Sequence, residues 1–577
     1  MEIINQKIGK ELFQFRIDNR KGLDCFKRKI AKKYKIAILK NSELLKIYHE
    51  MLAKKRAKTV KGWTLPILEK VLIKRPVRSL SGIVNVSVLT KPYPCPGKCI
   101  FCPSEKGIPK SYLSGEPAVQ RAIRNKFNPY KQVKMRLTSL QATGHPIDKV
   151  ELRTIGGTWS FYPKKYQEWF ISECFRACNE FANEKLKLIQ YRTIVLSCIK
   201  SGKWQSEIKN LNKLQRQNEK AKCRIVGIAV ETRPDFINLK EIQWMRELGI
   251  TKVELGIQSI YDDALQKNQR GHNVAATITA TGLLKNAGFK VSYQMMPGLF
   301  GSNPKKDLAM FKEIFENPDF KPDYLKIYPL ALVKNTKLYQ LYKQGKFKPY
   351  TKKQLVKLII EIKKIIPGWC RVERIIRDIP PKDIVEGGSN ILNMREVISK
   401  EMVQQGLACQ CIRCREVKGN YDIKEKIYLF REDYEASSEQ THLNFSKEKN
   451  AAGREIFLSF ENKARTKLYG LLRLRFPNPK EPSSFLAKKE LGSLLLPSTV
   501  IIRELHIYGQ MAQIRGDRVS ASSVQHRGLG KKLLAEAEKI AKKSGVKKIA
   551  VISGIGVRPY YRKLGYKLQN TYMVKNL

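Results

Sequence analysis

At 577 residues the chain is too long for a single hydrophobic core, so two or three domains are expected. Its 110 Lys and Arg against 52 Asp and Glu give a formal charge of +58, with clusters at Lys27–Lys35, Lys54–Lys61, Lys343–Lys353 and Arg371–Arg377, and this spread favours a polyanionic partner such as a nucleic acid. Nothing is long and apolar enough to span a bilayer, the Met-Glu-Ile-Ile-Asn start lacks the pattern of a secretory leader, and the twelve cysteines gather in motifs; a cytoplasmic metal-binding protein is expected, with no membrane association and no disulfide framework.

Residues 1–80 are rich in Lys, Leu and Ile at helical spacing, as in Ser42–Ala53, and read as a basic helical lead-in. From residue 81 to about 395 short apolar runs alternate with longer amphipathic ones. Strands are expected at Val84–Leu89, Val150–Ile155, Arg224–Val230, Lys252–Leu255, Lys290–Gln294 and Tyr324–Tyr328, and helices at Tyr166–Ala182, Leu239–Leu248, Ala275–Ala287, Lys305–Phe315 and Lys352–Ile366. Such alternation predicts an α/β fold built on a partial parallel barrel, whose functional residues sit where strands pass into loops.

The loop after the first strand carries the strongest chemical signal. Cys95, Cys99 and Cys102 stand at C-x3-C-x2-C spacing, which lets three thiolates hold three irons of a [4Fe–4S] cluster and leaves one iron open. This is the spacing of the radical S-adenosylmethionine (SAM) signature. The alternative, a structural zinc loop, usually draws four ligands from two paired motifs, and no second Cys-x2-Cys pair lies nearby.

Other candidates fall on strand ends. Gly156-Gly157-Thr158 would let the backbone approach a ligand, and Glu231 and Gln258 could bind the ribose hydroxyls or the amino-acid end of SAM. Cys409, Cys411 and Cys414 form a second cluster, with zinc the expected ion, free thiols the alternative and no evident fourth ligand. Cys174 and Cys178 lie among Phe170, Phe175 and Phe181 and read as core thiols.

From about residue 422 the pattern becomes hairpin-like, with strands at Lys426–Phe430, Glu455–Phe460, Leu468–Arg475 and Thr499–Tyr508, an α+β pattern. Gln525-His526-Arg527-Gly528-Leu529-Gly530-Lys531 opens an amphipathic helix, Lys532–Lys543, and aims free backbone N–H groups at an anion such as a pyrophosphate. With strand Lys548–Ile552 and Tyr560-Tyr561 behind it, this resembles the acetyl-coenzyme A (acetyl-CoA) site of the GNAT acetyltransferases.

Lys91-Pro-Tyr-Pro-Cys95, Cys99-Ile-Phe-Cys102, Glu231-Thr-Arg-Pro-Asp235, Glu254-Leu-Gly-Ile-Gln258, Arg270-Gly-His272, Met295-Met-Pro297, Arg377-Asp-Ile-Pro380, Glu504-Leu505-His506-Ile-Tyr508 and Tyr560–Tyr566 together resemble the family of the Elongator catalytic subunit, radical SAM and acetyltransferase proteins acting on transfer RNA. The resemblance implies four parts: a basic helical tRNA-binding region (1–80), a radical SAM barrel (81–395), a zinc linker (396–421) and a GNAT domain (422–577). It implies a [4Fe–4S] cluster, SAM, acetyl-CoA and zinc as cofactors. It also implies the anticodon stem-loop of tRNA as partner, an electron donor for the cluster, and accessory subunits or a homodimer.

The implied reaction uses a deoxyadenosyl radical to activate the acetyl group and leaves a carboxymethyl group on carbon five of the wobble uridine, provided that the thioester meets the barrel mouth. Tyr560, Tyr561, Lys326 and His506 form the expected catalytic set, and Glu504, Leu505, His506, Gln525–Lys531, Tyr560 and Tyr561 the expected acyl-carrier site. Basic clusters with interleaved aromatics, Lys343–Tyr350 and Arg371–Arg377, are expected to face RNA phosphates and stack on bases. The competing readings are a protein lysine N-acetyltransferase with a structural iron–sulfur domain, in which Glu504 or His506 would be the base, and an inactive tRNA-binding scaffold.

Overall fold

The computed structural model describes residues 2–15, 17–53, 68, 71–73, 79–181, 207–387, 390–391, 393–418, 424–438, 452–477, 499–509 and 528–577. At the N-terminus the helices Glu2–Gln14, Arg20–Tyr34 and Asn41–Ala53 share a core of their own that includes Ile8, Leu12, Phe26, Leu44 and Tyr48. Within Arg20–Tyr34 the helical repeat buries Leu23, Phe26 and Ile30 and leaves Arg28, Lys29, Lys32 and Lys33 exposed. Asn19 starts this helix by accepting a hydrogen bond from the Gly22 amide at 3.0 Å. The cluster Lys54–Lys61 lies outside the described residues.

The middle of the chain forms a curled parallel sheet: β1 (Val84–Leu89), β2 (Lys149–Ile155), β3 (Arg224–Thr232), β4 (Lys252–Gln258), β5 (Lys290–Met295), β6 (Tyr324–Ile327) and β8 (Arg371–Ile375), paired in that order with β1 and β8 as its edges. A two-stranded ribbon joins β7 (Leu332–Val333) to β9 (Ile384–Glu386). Asn128, Asn238, Asn273, Asn303 and Thr351 each begin a helix by accepting an amide hydrogen bond three residues on, so polar caps set the rhythm of strand and helix. Two features depart from the sequence-based expectation. Helices Pro117–Arg124 and Pro129–Ala142 occupy the β1–β2 connection, and Arg371–Arg377, expected on an RNA-facing surface, contains a barrel strand. Within that stretch Arg371 pairs with Glu416 at 2.6 Å, Arg374 with Asp378, and Arg377 with Glu116 at 2.8 Å, so these charges are spent internally.

The C-terminal sheet contains β10 (Tyr428–Ser438), β11 (Ala452–Glu461), β12 (Leu468–Phe476), β13 (Thr499–Ile507), β14 (Lys548–Val551), β15 (Lys567–Gln569) and β16 (Tyr572–Asn576), in the order β10-β11-β12-β13-β14-β16-β15. Its pairs are antiparallel except β13 with β14, which run parallel from Thr499 to Ile502. Helix Leu529–Lys543 buries Leu533, Leu534, Ala537 and Ile540 against it. Between Ala436 and Gly453 only 436–438 and 452–453 are described.

Barrel and C-terminal sheet share one continuous apolar core. Their junction also holds buried charge. Arg503 reaches Asp323 at 2.5 and 2.8 Å, Arg473 lies 3.6 Å from the same carboxylate, and Arg473 donates to Glu504 at 2.9 Å. Gly554 packs so closely on β3 that a Cβ there would stand 2.1 Å from the Val226 carbonyl. Burial alone would raise the pKa of Asp323, but Arg503, Arg473 and Lys285 outweigh it and hold the carboxyl below its ordinary range.

Asp323→Asn removes the carboxylate that Arg503 and Arg473 share, leaving them Glu455 and Glu504, and should cost about 3–5 kcal/mol, read as a lower urea unfolding midpoint at pH 7. Because the folded pKa is depressed, the advantage of the native residue is complete above an unfolded value of about 3.9 and is lost as pH falls through the lower folded value. The gap between wild type and variant should therefore hold from pH 8 to 5 and close in stronger acid.

Candidate active site

The loop after β1 brings Cys95, Cys99 and Cys102 to the C-terminal mouth of the barrel. Cys95 Sγ accepts the Gly97 amide at 3.4 Å and lies 3.9 Å from Thr158 Oγ1, and Cys99 Sγ accepts from Arg270 Nη1 at 3.5 Å. Arg233, fixed on Asp235 at 2.7 and 2.9 Å and on the Gly271 carbonyl at 2.9 Å, faces Gly97 from the other side. Two guanidinium groups thus flank sulfurs that become anionic when they bind iron. Burial and the neighbouring Cys99 push the Cys102 thiol up to about 12, so its ionisation relies on a cation at the site.

A tetrahedral zinc with bonds of ~2.3 Å draws its sulfurs to about 3.8 Å from one another. Among the described residues, Cys409, Cys411 and Cys414 are the trio gathered on that scale, with ligand atoms all within 4.8 Å. The Cys95 trio is more open and fits ligands to separate irons of a cluster. The Cys409 turn joins the halves of the molecule: Arg415 pairs with Glu461 at 2.5 Å, and the Val417 amide donates to the Leu468 carbonyl at 3.0 Å.

Beside the cluster loop lies a cavity of about 500 Å³, lined among others by Cys102, Tyr112, Glu231, Gln258 and Lys326. Glu231 accepts from Tyr112 at 3.0 Å, Gln294 at 3.1 Å and Lys326 at 2.9 Å. Lys326 also pairs with Glu254 and, although burial opposes its charge, these two carboxylates hold it protonated. It therefore supplies a fixed positive charge instead of a base. Gln258 and Ile376, at the ends of β4 and β8, both line this cavity with left-handed backbones, φ 73° and 72°. Strain at non-glycine residues persists where the surroundings over-determine it, often at ligand sites. Gly156, with φ 146°, makes its close approach to Thr90: a Cβ there would stand 2.0 Å from Thr90 Oγ1. Gly157 leaves ordinary room, with Tyr162 Oη at 3.6 Å.

A second cavity, about 780 Å³, opens at the other end of the barrel and runs along β13 to Gly528, Gly530, Tyr560 and Tyr561. Gly528, with φ 73°, precedes helix Leu529–Lys543, whose first amides have no partner within the helix and suit an anion, and Lys531 follows in its first turn. Gln525, His526 and Arg527 lie outside the described residues. Tyr560 projects its hydroxyl over Gly530, 3.1 Å from where a Cβ would be, whereas Tyr561 is buried against Tyr566. Leu505 lines this cavity, and its neighbours are engaged: Glu504 accepts from Tyr324 and Arg473, and His506 donates from Nε2 to the Ser81 carbonyl at 2.8 Å.

Sequence reasoning singled out Lys326 and Glu231 but missed the charges that surround them inside the barrel. Arg153 pairs with Glu254 at 2.5 Å and Glu373 at 3.3 Å, and Lys252 with Glu373 at 2.7 Å. The signal was present: Lys252-Val-Glu254 and Glu151-Leu-Arg153 put charges at every second position of strands that, when covered on both faces, are ordinarily apolar throughout. The expected base-stacking pair also lies elsewhere. Phe347 is buried in an apolar cluster and Tyr350 donates to Asp307 at 2.8 Å, while Lys343, Lys346 and Lys348 are exposed.

Comparison with known proteins agrees with this division. The Radical SAM superfamily model matches residues 93–314, the Radical_SAM C-terminal domain 322–404 and the Acetyltransferase (GNAT) family 504–566. The chain therefore joins a radical SAM domain, whose family implies a [4Fe–4S] cluster and SAM, to an acetyltransferase domain, whose family implies acetyl-CoA. A tRNA uridine(34) acetyltransferase of Methanocaldococcus infernus is 42% identical, covering 100% of this chain and 99% of the relative. Elongator complex protein 3 of Saccharomyces cerevisiae is 37% identical, covering 90% and 86%. The solved structure of archaeal Methanocaldococcus infernus Elp3 with an N-terminal deletion superposes with a TM-score of 0.67 at 40% identity, covering 86% of this chain and 100% of that one. The chain belongs to the family of Elongator complex protein 3 and the tRNA uridine(34) acetyltransferases.

Gly156→Ala forces a Cβ into Thr90 at a backbone angle that disfavours it and should destabilise the loop that carries Thr158 by about 1–3 kcal/mol. Iron and sulfide bound per chain after anaerobic reconstitution should fall, while Gly157→Ala should load as wild type.

Proposed function

We propose that the chain modifies the wobble uridine of tRNA, replacing the hydrogen on carbon five with a carboxymethyl group derived from acetyl-CoA. The observation that carries this reading is that a cluster loop and an acyl-carrier cavity open into one barrel, in a chain that aligns along its whole length with a tRNA uridine(34) acetyltransferase. The domain division at 1–80, 81–395, 396–421 and 422–577 belongs to the same proposal, supported by the separate N-terminal core and the spans of the family models.

In this reading Cys95, Cys99 and Cys102 hold a [4Fe–4S] cluster, with Arg233 and Arg270 balancing the thiolates. Bound there together with SAM, the cluster supplies one-electron, hydrogen-abstracting chemistry. Gly156, Gly157 and Thr158 shape the loop beside Cys95. Glu231 and Gln258 present polar groups to SAM, and Lys326 holds Glu231 in place. At the other cavity the amides from Gly528 through Lys531 would receive the carrier's pyrophosphate, Leu505 lines the path, and Tyr560 stands over Gly530 beside it. Zinc at Cys409, Cys411 and Cys414 pins the linker. Direct acetylation of a lysine amine is less well supported, because Glu504 and His506 are already engaged by Tyr324, Arg473 and Ser81.

The exposed lysines of Arg20–Tyr34 and Lys343–Lys353 suit the phosphates of an anticodon stem-loop. Among the described residues no helix is long and apolar enough to cross a membrane; a cytoplasmic site of action belongs to the same proposal. An electron donor for the cluster, and accessory subunits or a second copy, complete the expected partners.

Anaerobic incubation with tRNA, acetyl-CoA, SAM and a reductant should give a uridine mass gain that requires all four. Cys99→Ser should abolish it while tRNA binding persists; full modification by that variant would remove the radical assignment. The logarithm of the tRNA binding constant should fall linearly with that of salt, with a slope near −0.9 for each duplex phosphate contacted, and a flat response would remove the phosphate contacts.

A further inference from the structure

The two cavities lie at opposite ends of the barrel. Lys149, Arg224, Lys290, Tyr324 and Arg371, which line the acyl-carrier cavity, are the first residues of β2, β3, β5, β6 and β8. The cluster loop follows the last residue of β1. The six steps of β2 from Lys149 to Ile155, at ~3.3 Å each, put about 20 Å between the two mouths. An acyl group activated at one mouth and carried at the other must cross the lumen or travel outside the sheet.

The lumen is built unlike a sealed core. Parallel barrels commonly fill this space with layers of Val, Ile and Leu. Here Glu151, Arg153, Lys252, Glu254, Lys326 and Glu373 occupy it in pairs, an arrangement that costs more desolvation than an apolar filling of similar volume. Asn85, Arg153 and Glu373 line both cavities, so the two meet at these residues. Asn85 is exposed on the edge strand. Arg153 holds Glu254 at 2.5 Å but Glu373 only at 3.3 Å, and its Nε, sealed from solvent, has no hydrogen-bond partner.

We propose that the barrel lumen is the passage for the acyl-thioester end of the carrier, and that Asn85, Arg153 and Glu373 form the constriction through which the acyl group reaches the cluster side. Arg153 acts as a positioning residue: released from its weaker contact with Glu373, its guanidinium and spare Nε–H can donate to the thioester carbonyl and replace hydration lost in the lumen. The proposal rests on the reading that an acyl carrier docks at Gly528–Lys531 and Tyr560.

Asn85 is the place to block the passage, since its exposed side chain on an edge strand leaves room for bulk without disturbing the core. Asn85→Trp should keep wild-type iron and sulfide content, reductive cleavage of SAM to 5′-deoxyadenosine and acetyl-CoA binding, yet lose uridine modification by about a hundredfold through misplacement of the acyl group. Asn85→Ala should retain modification. Modification by Asn85→Trp at the wild-type rate would overturn the passage and send the acyl group around the outside.

A second readout needs no turnover. In full-length Asn85→Cys, alkylation of the new thiol by iodoacetamide, followed by peptide mass, should slow about tenfold with acetyl-CoA at about ten times its Kd, and an unchanged rate would overturn the proposal. If the wild-type chain yields no uridine product with all four components, the functional reading itself falls, and the alkylation result then decides the passage alone.

Discussion

Asp323 is the residue around which both halves of the molecule are organised. It immediately precedes β6, accepts the Val291 amide of β5 at 2.8 Å, and takes both terminal nitrogens of Arg503 from β13. One carboxylate thereby joins two barrel strands to the C-terminal sheet. A buried ion pair is a poor source of net stability, because an apolar filling of equal volume avoids the desolvation. It gives registry instead. Arg473 extends the network to Glu504, and Glu504 to Tyr324, so β12, β13 and β6 share one geometry across the junction.

That registry turns the bottom of the barrel into a functional wall. In barrel enzymes the N-terminal face is ordinarily a stability face, closed by packing. Here Gly554 and Gly556 rest directly on the backbone of β3, and His506 reaches the Ser81 carbonyl just before β1. The N-terminal mouth therefore opens onto the cavity that runs past Tyr560, and not onto solvent alone. The cavity lined by Gly528, Gly530 and Tyr560 thus opens at the mouth opposite the cysteine loop, whereas the sequence pattern put functional residues where strands pass into loops.

The strands and helices were legible because their signals are local. Apolar runs of the right length marked β1 to β6, and amphipathic repeats marked the barrel helices between them, whose starts agree within a residue or two. What failed depended on partners distant in sequence. Arg377 finds Glu116, 261 residues away, and Arg371 finds Glu416, 45 residues away. A count of lysines and arginines cannot separate such buried pairs from a phosphate-binding surface. The Gly156-Gly157 pair was visible, but what Gly156 accommodates is Thr90, on a neighbouring strand's loop. Tyr350 likewise looked like a stacking platform until Asp307 claimed its hydroxyl.

Interior pairing also locates the large positive excess. The charges in the barrel lumen and at the junction are matched locally, acid against base, so the unmatched lysines and arginines must stand outside. One set lies on the outer face of Arg20–Tyr34, a helix whose apolar face belongs to a core separate from the main one. This N-terminal unit touches the barrel layer at Gly144, against Leu45 and Ile73. A basic surface carried on its own small core can change its charge pattern without disturbing the lumen or the junction. The interior polar network is less tolerant, since its members share partners and removal of one leaves buried charges with fewer counter-charges.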